Sequence, residues 1–450
     1  MAGLIACRKY DESVSAENPD SEWLSGGAQT VFDPGSNAFS HEFNGLNAQM
    51  ARLHDIGDGQ FNASFVTAPA PLNPGLGPIF NNVSCISCHI SDGRGKVPGT
   101  GETAANVLFR VSLPGAGEHG NPVPVPGFGD QLQTRSILNV KKEADVNVRY
   151  TETAYTFADG SAYSLRTPVY TVSNSYIPFP SGTLLSARVA APVFGLGLLE
   201  QISEQDIIAA ADPNDRDGDG ISGRPNYVWD VLKMAKVLGR FGWKANQPNL
   251  LQQVAAAYNG DIGITTSIFP RESSEGQTQF DSRPQSSDSF ELKDSLLYSV
   301  EFYVRTLAVP ARRNATDKQV LDGKALFIAA GCEKCHRQDQ RTAVDVALRQ
   351  RSNQLIHPYT DLLLHDMGEG LADNRPDFEA SGREWRTAPL WGIGLTRKVN
   401  GHTNFLHDGR ARNITEAIMW HGGEAESAKK YVEKLSESDR GKLLAFIDSL

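Results

Sequence analysis

The sequence predicts a mainly α-helical protein that has long loops and a few β-hairpins inserted in its N-terminal half. Helical periodicity runs through 38–66, 203–211 and 229–259, and it returns from 290 to the C-terminus. Residues 107–170 instead alternate and contain many valines, tyrosines and threonines, a pattern typical of β-hairpins. The 42 glycines and 24 prolines among 450 residues predict many turns and long ordered loops.

The composition is that of a globular protein and excludes several other classes. Hydrophobic residues make up 40% of the chain and charged residues 21%, which rules out a wholly disordered protein. No stretch approaches the roughly 20 apolar residues of a membrane-spanning helix. The net charge of −10 repels a phosphate backbone, so we expect no nucleic-acid partner. This charge serves solubility in our interpretation, with a docking patch for a basic redox partner as the alternative.

Four of the five cysteines form two C-x-x-C-H motifs, each of which is the attachment signature of haem c. Two thiols at this spacing can form thioether bonds with the haem vinyl groups, and the adjacent histidine can bind the iron. A zinc site is the alternative, but it needs a fourth ligand and usually a second C-x-x-C nearby. A thioredoxin-like redox pair is the other alternative. We expect two covalently bound haem c groups, held by Cys85, Cys88 and His89 and by Cys332, Cys335 and His336.

The two motifs suggest a division of the chain into two haem domains. Residues 29–270 form the predicted N-terminal c-haem domain with the β-hairpin insertions, and 290–450 form the C-terminal c-haem domain. Residues 271–289 are rich in serine, glutamine and acidic residues and lack periodicity, so they are the predicted linker. Residues 1–28 are the predicted lipoprotein leader and tether.

The fifth cysteine bears on where the protein is found. Haem c is attached outside the cytoplasm, so we expect a periplasmic protein. Leu4-Ile5-Ala6-Cys7 resembles a lipoprotein cleavage box, which would make Cys7 a lipid anchor. Six residues before Cys7 are too few for a complete signal peptide, so this reading needs a start further upstream. The alternative is an unpaired thiol near the terminus.

A short repeat follows each haem motif. Arg166-Thr167-Pro168 recurs as Arg386-Thr387-Ala388-Pro389. An arginine held in such a turn can direct its guanidinium at a haem propionate, so Arg166 and Arg386 are predicted to bind the cofactor. The alternative for either copy is an arginine in an ordinary surface turn.

Five stretches carry a resemblance to a known family. The chain resembles the bacterial di-haem oxidoreductases, which are related to the di-haem cytochrome c peroxidases and to the methylamine-utilisation di-haem enzyme. The resemblance implies two cytochrome c-like helical domains whose haems lie near their interface. The matching stretches are GLGPIFNNVSCISCHISDGRG (75–95), RVAAPVFGLGLLEQI (188–202), DRDGDGISGRPNYVWD (215–230), FGWKA (241–245) and FLHDGRARNITEAIMWHGGEA (405–425).

The last stretch implies the sixth ligand of the second haem. In the related peroxidases an HDG motif begins a helix that later supplies this ligand, usually a methionine. Thirteen residues after Asp408 the chain has His421, and Met419 lies two residues before it. His336 and His421 would then give bis-histidine iron, which has a lower potential than histidine–methionine iron. The alternative for His421 is a surface histidine at a helix end. We interpret His407 as a hydrogen-bond donor beside this haem. We interpret His357 and His365 as structural or propionate-contacting groups.

The resemblance also implies that the first haem is the open one and needs a group that moves protons. The related peroxidases use a glutamate, and Glu200 in an apolar run is the best match. Burial would raise the pKa of Glu200 toward neutrality. The alternative is that Glu200 caps the helix that starts near Ser203, while Arg188 is a second catalytic candidate that would stabilise charge. His41 or His54 could close this haem instead.

An acidic loop between the two motifs suggests a calcium site. Asp215, Asp217 and Asp219 have the alternating oxygen spacing of a calcium loop, followed by Gly220. The twelfth position is Asn226 rather than glutamate, so the loop is not an EF-hand. Related di-haem enzymes hold calcium between their domains. The alternative is an acidic turn satisfied by water.

Two function classes follow from these residues. In the first, the protein is a di-haem oxidoreductase of peroxidase type, and electrons pass from the bis-histidine C-terminal haem to an open N-terminal haem. That haem reduces peroxide or oxidises a substrate, and the partner is a periplasmic electron donor or acceptor. In the second, the protein is a non-catalytic di-haem electron-transfer protein. A haem lipoprotein that assists metal acquisition is a weaker third reading.

Overall fold

The computed structural model describes residues 22–104, 106–279 and 290–450 of the chain. Within these residues helices make up 28% and strands 20%. The expectation of a mainly α-helical protein is therefore wrong, because the fold mixes helices with many small sheets and long loops. Cys7 and residues 280–289 of the predicted linker lie outside the described residues.

The α-helices of the described chain are mostly short. They are Ala48–Asn62, Leu196–Glu200, Glu204–Ala209, Leu250–Ala257, Asp294–Arg305, Lys318–Ala329, Thr396–Asn400, Ile414–Met419, Glu426–Glu433 and Glu437–Ser449, and a π-helix at Tyr258–Ile262 continues the fourth. Single 3₁₀ turns lie at Gly27–Gln29, Ile90–Asp92, Cys332–Lys334, Arg349–Arg351, Glu369–Leu371, Ile393–Leu395 and Gly423–Ala425. None of the described helices is long and apolar enough to cross a membrane.

The strands form small sheets that join distant parts of the chain. Val107–Ser112 pairs antiparallel with Gln131–Leu132 and Leu184–Val189, and Asp145–Thr156 pairs antiparallel with Ala162–Ser173 along its whole length. Thr30–Val31 runs parallel to Val309–Pro310. The other antiparallel pairs are Ile79–Phe80 with Arg135–Ser136, Tyr227–Asp230 with Ala235–Leu238, Gln340–Arg341 with Leu355–Ile356, and Leu364–Asp366 with Glu384–Arg386.

The error in fold class has a physical cause that is clear at 229–259. A helix was expected there, but the segment begins with the hairpin at Tyr227–Asp230 and Ala235–Leu238, and its helix starts only at Leu250. Asp230 stabilises the hairpin turn by accepting a hydrogen bond from Leu232 N at 3.0 Å. Strands of two to four residues have no periodicity of their own, and pairing with partners far along the chain decides whether they form.

A long helix precedes each haem motif, and each crosses a second helix at a glycine. Ala48–Asn62 crosses Asp294–Arg305 at Gly57, where a Cβ atom would lie 2.0 Å from Ser299 O. Lys318–Ala329 crosses Glu437–Ser449 at Gly323, where a Cβ atom would lie 2.0 Å from Lys442 O. The close crossings fix the helix that leads into each motif.

Two contacts cross the predicted domain division. Helix Asp294–Arg305, which follows the predicted linker, packs into the N-terminal hydrophobic core against the helix before the first motif. In the opposite direction, the tip of the long hairpin reaches the C-terminal helices, where Ala158 N donates to Glu433 O at 3.0 Å and Asp159 pairs with Arg440 at 3.0 Å. The boundary at 271–289 stays a prediction.

Candidate functional site

Both C-x-x-C-H motifs line one cavity of about 670 Å³. The second motif begins just after the helix Lys318–Ala329, whereas the first follows Ala48–Asn62 after a longer loop. The strands around Arg188 and Arg386 form part of the cavity wall. A shared cavity brings the two predicted haem sites close together, as electron transfer between them requires.

The motif cysteines are partly buried thiols with raised pKa values. Burial raises the pKa of Cys85 to about 12 and that of Cys88 to about 11. Burial likewise raises the pKa of Cys332 to about 12, and it raises the pKa of Cys335. Zinc binding and thiol–disulfide exchange both use thiolates, so this environment fits thioether attachment better than either alternative.

The two motif histidines are held in the orientation of iron ligands. His89 Nδ1 donates to Ala191 O at 2.8 Å, and His336 Nδ1 donates to Tyr359 O at 3.0 Å. Both bonds leave Nε2 unprotonated and facing the cavity. Burial lowers the pKa of each imidazole to about 4, so both are neutral and able to bind a metal.

His421 lies near His336 of the second motif, and both histidines line the cavity. Its Nδ1 donates to Ala417 O at 2.7 Å, which again leaves Nε2 free. After burial, the charge of His421 is the next cause that lowers the pKa of His336, so the two imidazoles are near neighbours. Met419 is packed into a hydrophobic cluster and does not line the cavity. The geometry therefore favours His421 over Met419 as the sixth ligand.

Two buried arginines in the cavity fit the carboxylates of bound haem. Burial alone lowers the pKa of Arg94 to about 10, and burial, opposed by Asp361, lowers that of Arg386 to about 10. Among the described residues, their guanidinium groups donate only to backbone oxygens, such as Leu406 O at 2.7 Å and Gly242 O at 3.0 Å. A buried cation without an ion-pair partner is costly, and an anionic group in the cavity would remove that cost.

Arg94 was missed by the sequence reasoning, whereas Arg166 was selected and lies elsewhere. Arg166 donates to Arg410 O at 2.8 Å and stacks on Tyr150 with 4.2 Å to the ring centre, outside the residues that line the cavity. The available signal was the Gly93-Arg94-Gly95 loop just after the first motif. A Cβ atom at Gly93 would lie 2.2 Å from Asn400 Oδ1, so the loop packs tightly while it turns Arg94 inward.

Glu200 is placed differently from the expectation. Its carboxylate accepts from Arg351 at 2.7 Å and Arg305 at 3.0 Å and from Leu250 N at 2.9 Å, and it does not line the cavity. Burial raises the pKa of Glu200, but the two arginines outweigh burial and hold it below its ordinary value. The expected raised pKa is therefore wrong. Glu200 does not cap the next helix either, because Ser203 does so through Asp206 N.

Arg188, the second catalytic candidate, does line the cavity. It pairs with Asp373 at 3.2 Å and lies over the Trp385 ring with 4.8 Å to its centre. His407 stacks on the same ring at 3.7 Å, and burial lowers its pKa to about 3. Arg188 and His407 thus provide one cation and one neutral imidazole in the wall between the motifs.

The remaining histidines divide between the cavity and the protein core. His41 bonds Asp33 at 2.7 Å and His54 bonds Thr306 at 2.8 Å, and neither lines the cavity. His357 bonds Asp339 at 2.7 Å, also away from the cavity. His365 lines the cavity beside Cys335 and is held between two carboxylates, Asp361 at 2.9 Å and Glu424 at 2.7 Å.

The acidic loop is tied to the second motif. Oxygen atoms of Asp215, Asp217 and Asp219 lie within 4.8 Å of one another. Lys334, which lies between the two cysteines of the second motif, bonds Asp219 at 2.9 Å. The loop has the oxygen atoms for calcium, but a lysine already neutralises one carboxylate, and the calcium site stays a prediction.

No curated protein matches the chain. Among solved structures, hydrazine synthase of Kuenenia stuttgartiensis is 13% identical over 96% of this chain and 97% of that one, with a TM-score of 0.36, a likeness too distant to inform function. The family described as "Di-haem oxidoreductase, putative peroxidase" matches residues 21–450, and the chain therefore belongs to the di-haem oxidoreductase family.

Proposed function

We propose that this di-haem oxidoreductase is of peroxidase type, with a closed second haem that passes electrons to an open first haem. The open haem would reduce peroxide or oxidise a substrate, and a periplasmic protein would donate or accept electrons. Bound haem supplies one-electron chemistry at its iron.

The observation that carries this proposal is an asymmetry between the two motif histidines. His421 lowers the pKa of His336, whereas only burial and the bond to Ala191 O act on His89. Nε2 of His421 and Nε2 of His336 would both bind one iron and so close it. His41 and His54, which could have closed the first site, are bonded to Asp33 and Thr306 away from the cavity.

The chain's own residues support both halves of this arrangement. Arg94 and Arg386 would bind the haem carboxylates and hold each group against its motif. The partly buried cysteines would hold the attachment edge of each haem within the cavity. Arg188 would stabilise negative charge in the wall between the sites.

Covalent attachment, periplasmic location, a lipid anchor at Cys7 and calcium at Asp215, Asp217 and Asp219 belong to the same proposal. The buried thiols support attachment, and haem c is attached outside the cytoplasm. Mass spectrometry of the denatured protein, made in cells that mature haem c, should show two added haems. A bare polypeptide mass would refute attachment.

The test of function is spectroscopy combined with turnover. Electron paramagnetic resonance of the oxidised protein should show one high-spin and one low-spin haem, and hydrogen peroxide should be consumed with a reduced donor. Two low-spin haems and no reaction with peroxide would instead identify a non-catalytic electron-transfer protein.

A further inference from the structure

A buried carboxyl faces the cavity beside the first motif, on an element that the sequence reasoning did not single out. Asp261 lies on the π-helix Tyr258–Ile262 and lines the cavity. Its backbone oxygen accepts from Asn81 N at 2.8 Å and Asn82 N at 3.1 Å, just before the motif. The charge of Asp261 also raises the pKa of Cys85 and of Cys88. Asp261 is therefore adjacent to the attachment edge of the first haem.

Only one oxygen of this carboxyl is engaged. Asp261 Oδ1 accepts from Gln131 Nε2 at 2.7 Å, while Oδ2 accepts no hydrogen bond from the described residues. Burial raises the pKa of Asp261. A carboxyl with a free oxygen in a cavity and a raised pKa can take up and release protons at a higher pH than an ordinary aspartate. Asp261 thus has the properties that Glu200 lacks.

A second buried carboxyl lies behind Asp261. Glu143 is 0% exposed, and burial raises its pKa to about 8. Gln133 N and Gln277 Nε2 donate to its two oxygens, the second at 2.7 Å. Gln277 in turn accepts from Gln279 at 2.7 Å, next to the exposed Thr278. Glu143 is therefore linked through Gln277 to a segment that is exposed at Thr278.

Two glutamines bridge the two carboxyls. Gln131 and Gln133 point to the same side because side chains alternate along an extended segment. Both donate to Gly260 O, at 3.0 and 2.6 Å, beside Asp261. The Oε1 atoms of both are buried and accept no hydrogen bond from the described residues. Buried amide oxygens of this kind are usually satisfied by ordered water, which can carry protons between fixed groups.

We propose that Glu143 and Asp261 form a proton-transfer route from the surface near Gln277 to the first haem cavity, with Gln131 and Gln133 holding water between them. The proposal deepens the proposed function and rests on it. Reduction of one hydrogen peroxide to two waters breaks the O–O bond and consumes two electrons and two protons. The donor protein supplies the electrons, and solvent supplies the protons through this route.

Few other charges face the two carboxyls. Arg110 and Asp130 act on Asp261 from the neighbouring strands, the arginine lowering its pKa and the aspartate raising it. Asp130 also raises the pKa of Glu143. Glu143 in turn raises the pKa of Tyr176. Arg110 and Asp130 are themselves paired at 3.6 Å, so their opposite charges largely offset each other at the two carboxyls.

The first test does not depend on turnover. Reduction of a nearby iron favours protonation of Asp261, so the potential of the first haem should fall as the pH rises through the raised pKa of Asp261. Spectroelectrochemistry of the holoprotein should show this slope, and Asp261→Asn should remove at least half of it. Glu291→Gln is the matched control, because burial also raises the pKa of Glu291, which lies outside the cavity. An unchanged slope in Asp261→Asn would overturn the proposal, whether or not peroxide is a substrate.

The second test is the rate of peroxide reduction. Asp261→Asn and Glu143→Gln should each slow it by about 10²-fold, with a larger solvent deuterium isotope effect, while Glu291→Gln leaves it unchanged. Gln133→Leu interrupts the same route without changing a charge and should also slow turnover. Full activity in both Glu143→Gln and Gln133→Leu would overturn the route. If the wild type does not reduce peroxide but Asp261→Asn removes the potential slope, the proposed function fails and the role of Asp261 stands.

Discussion

Glu200→Gln should destabilise the fold rather than abolish catalysis. The carboxylate bonds Arg351 at 2.7 Å and Arg305 at 3.0 Å, and the side chains of Glu200 and Arg351 are only 12% and 9% exposed. Removing one partner of a buried ion pair costs about 3–5 kcal/mol, because the other charge stays buried without compensation. The amide keeps the shape and one acceptor, so we expect about 3 kcal/mol, the lower end of that range.

Urea unfolding at pH 7 measures this change, with Glu204→Gln in the first turn of the next helix as the exposed control. The pH dependence gives a second check. The pKa of folded Glu200 is depressed, so its contribution is present above the unfolded pKa of about 4.3 and is lost as the pH falls through the folded pKa. The difference between wild type and Glu200→Gln should therefore shrink below about pH 4. A stable variant whose peroxide turnover falls by 10²-fold or more would refute this reasoning and restore the acid–base role.

Three further predictions concern the haem and metal sites. His421→Met should raise the potential of the second haem by on the order of 100 mV in a redox titration, and no change would mean that His421 is not bound to iron. Arg94→Gln should lower the potential of the first haem, because a buried cation favours the reduced state, whereas Arg166→Gln should leave both potentials unchanged. Equal effects of the two arginine variants would contradict the cavity assignment. Calorimetric titration with calcium chloride should show binding that Asp217→Ala abolishes, and no heat from the wild type would dismiss the site.

The sequence alone was sufficient to predict features that depend on neighbouring residues or on a fixed number of residues after a motif. The C-x-x-C-H spacing is set by the chemistry of one turn, and it selected the residues that line the shared cavity. The resemblance to di-haem oxidoreductases is confirmed by the family match over residues 21–450. Counting from the HDG motif also selected His421, which lines the cavity near His336.

The sequence was misleading where partners far along the chain decide the outcome. Two-residue strands such as Thr30–Val31 form only because Val309–Pro310 lies beside them, so the helical content was overestimated. Apolar neighbours suggested a raised pKa for Glu200, but Arg305 and Arg351 come from segments more than 100 positions away.

The sequence by itself therefore determined the family and the two C-x-x-C-H motifs, and it predicted His421 as the ligand facing the second of them. Only the tertiary structure decided which charged groups enter the cavity. Arg94 and Asp261 enter it because a tight glycine loop and a π-helix turn them inward, while Arg166 and Glu200 are held elsewhere by backbone oxygens and arginines. The physical reason is that the spacing of the motif residues is set within a few consecutive positions of the chain. The pKa and the accessibility of a buried charge depend instead on every group that the fold packs around it.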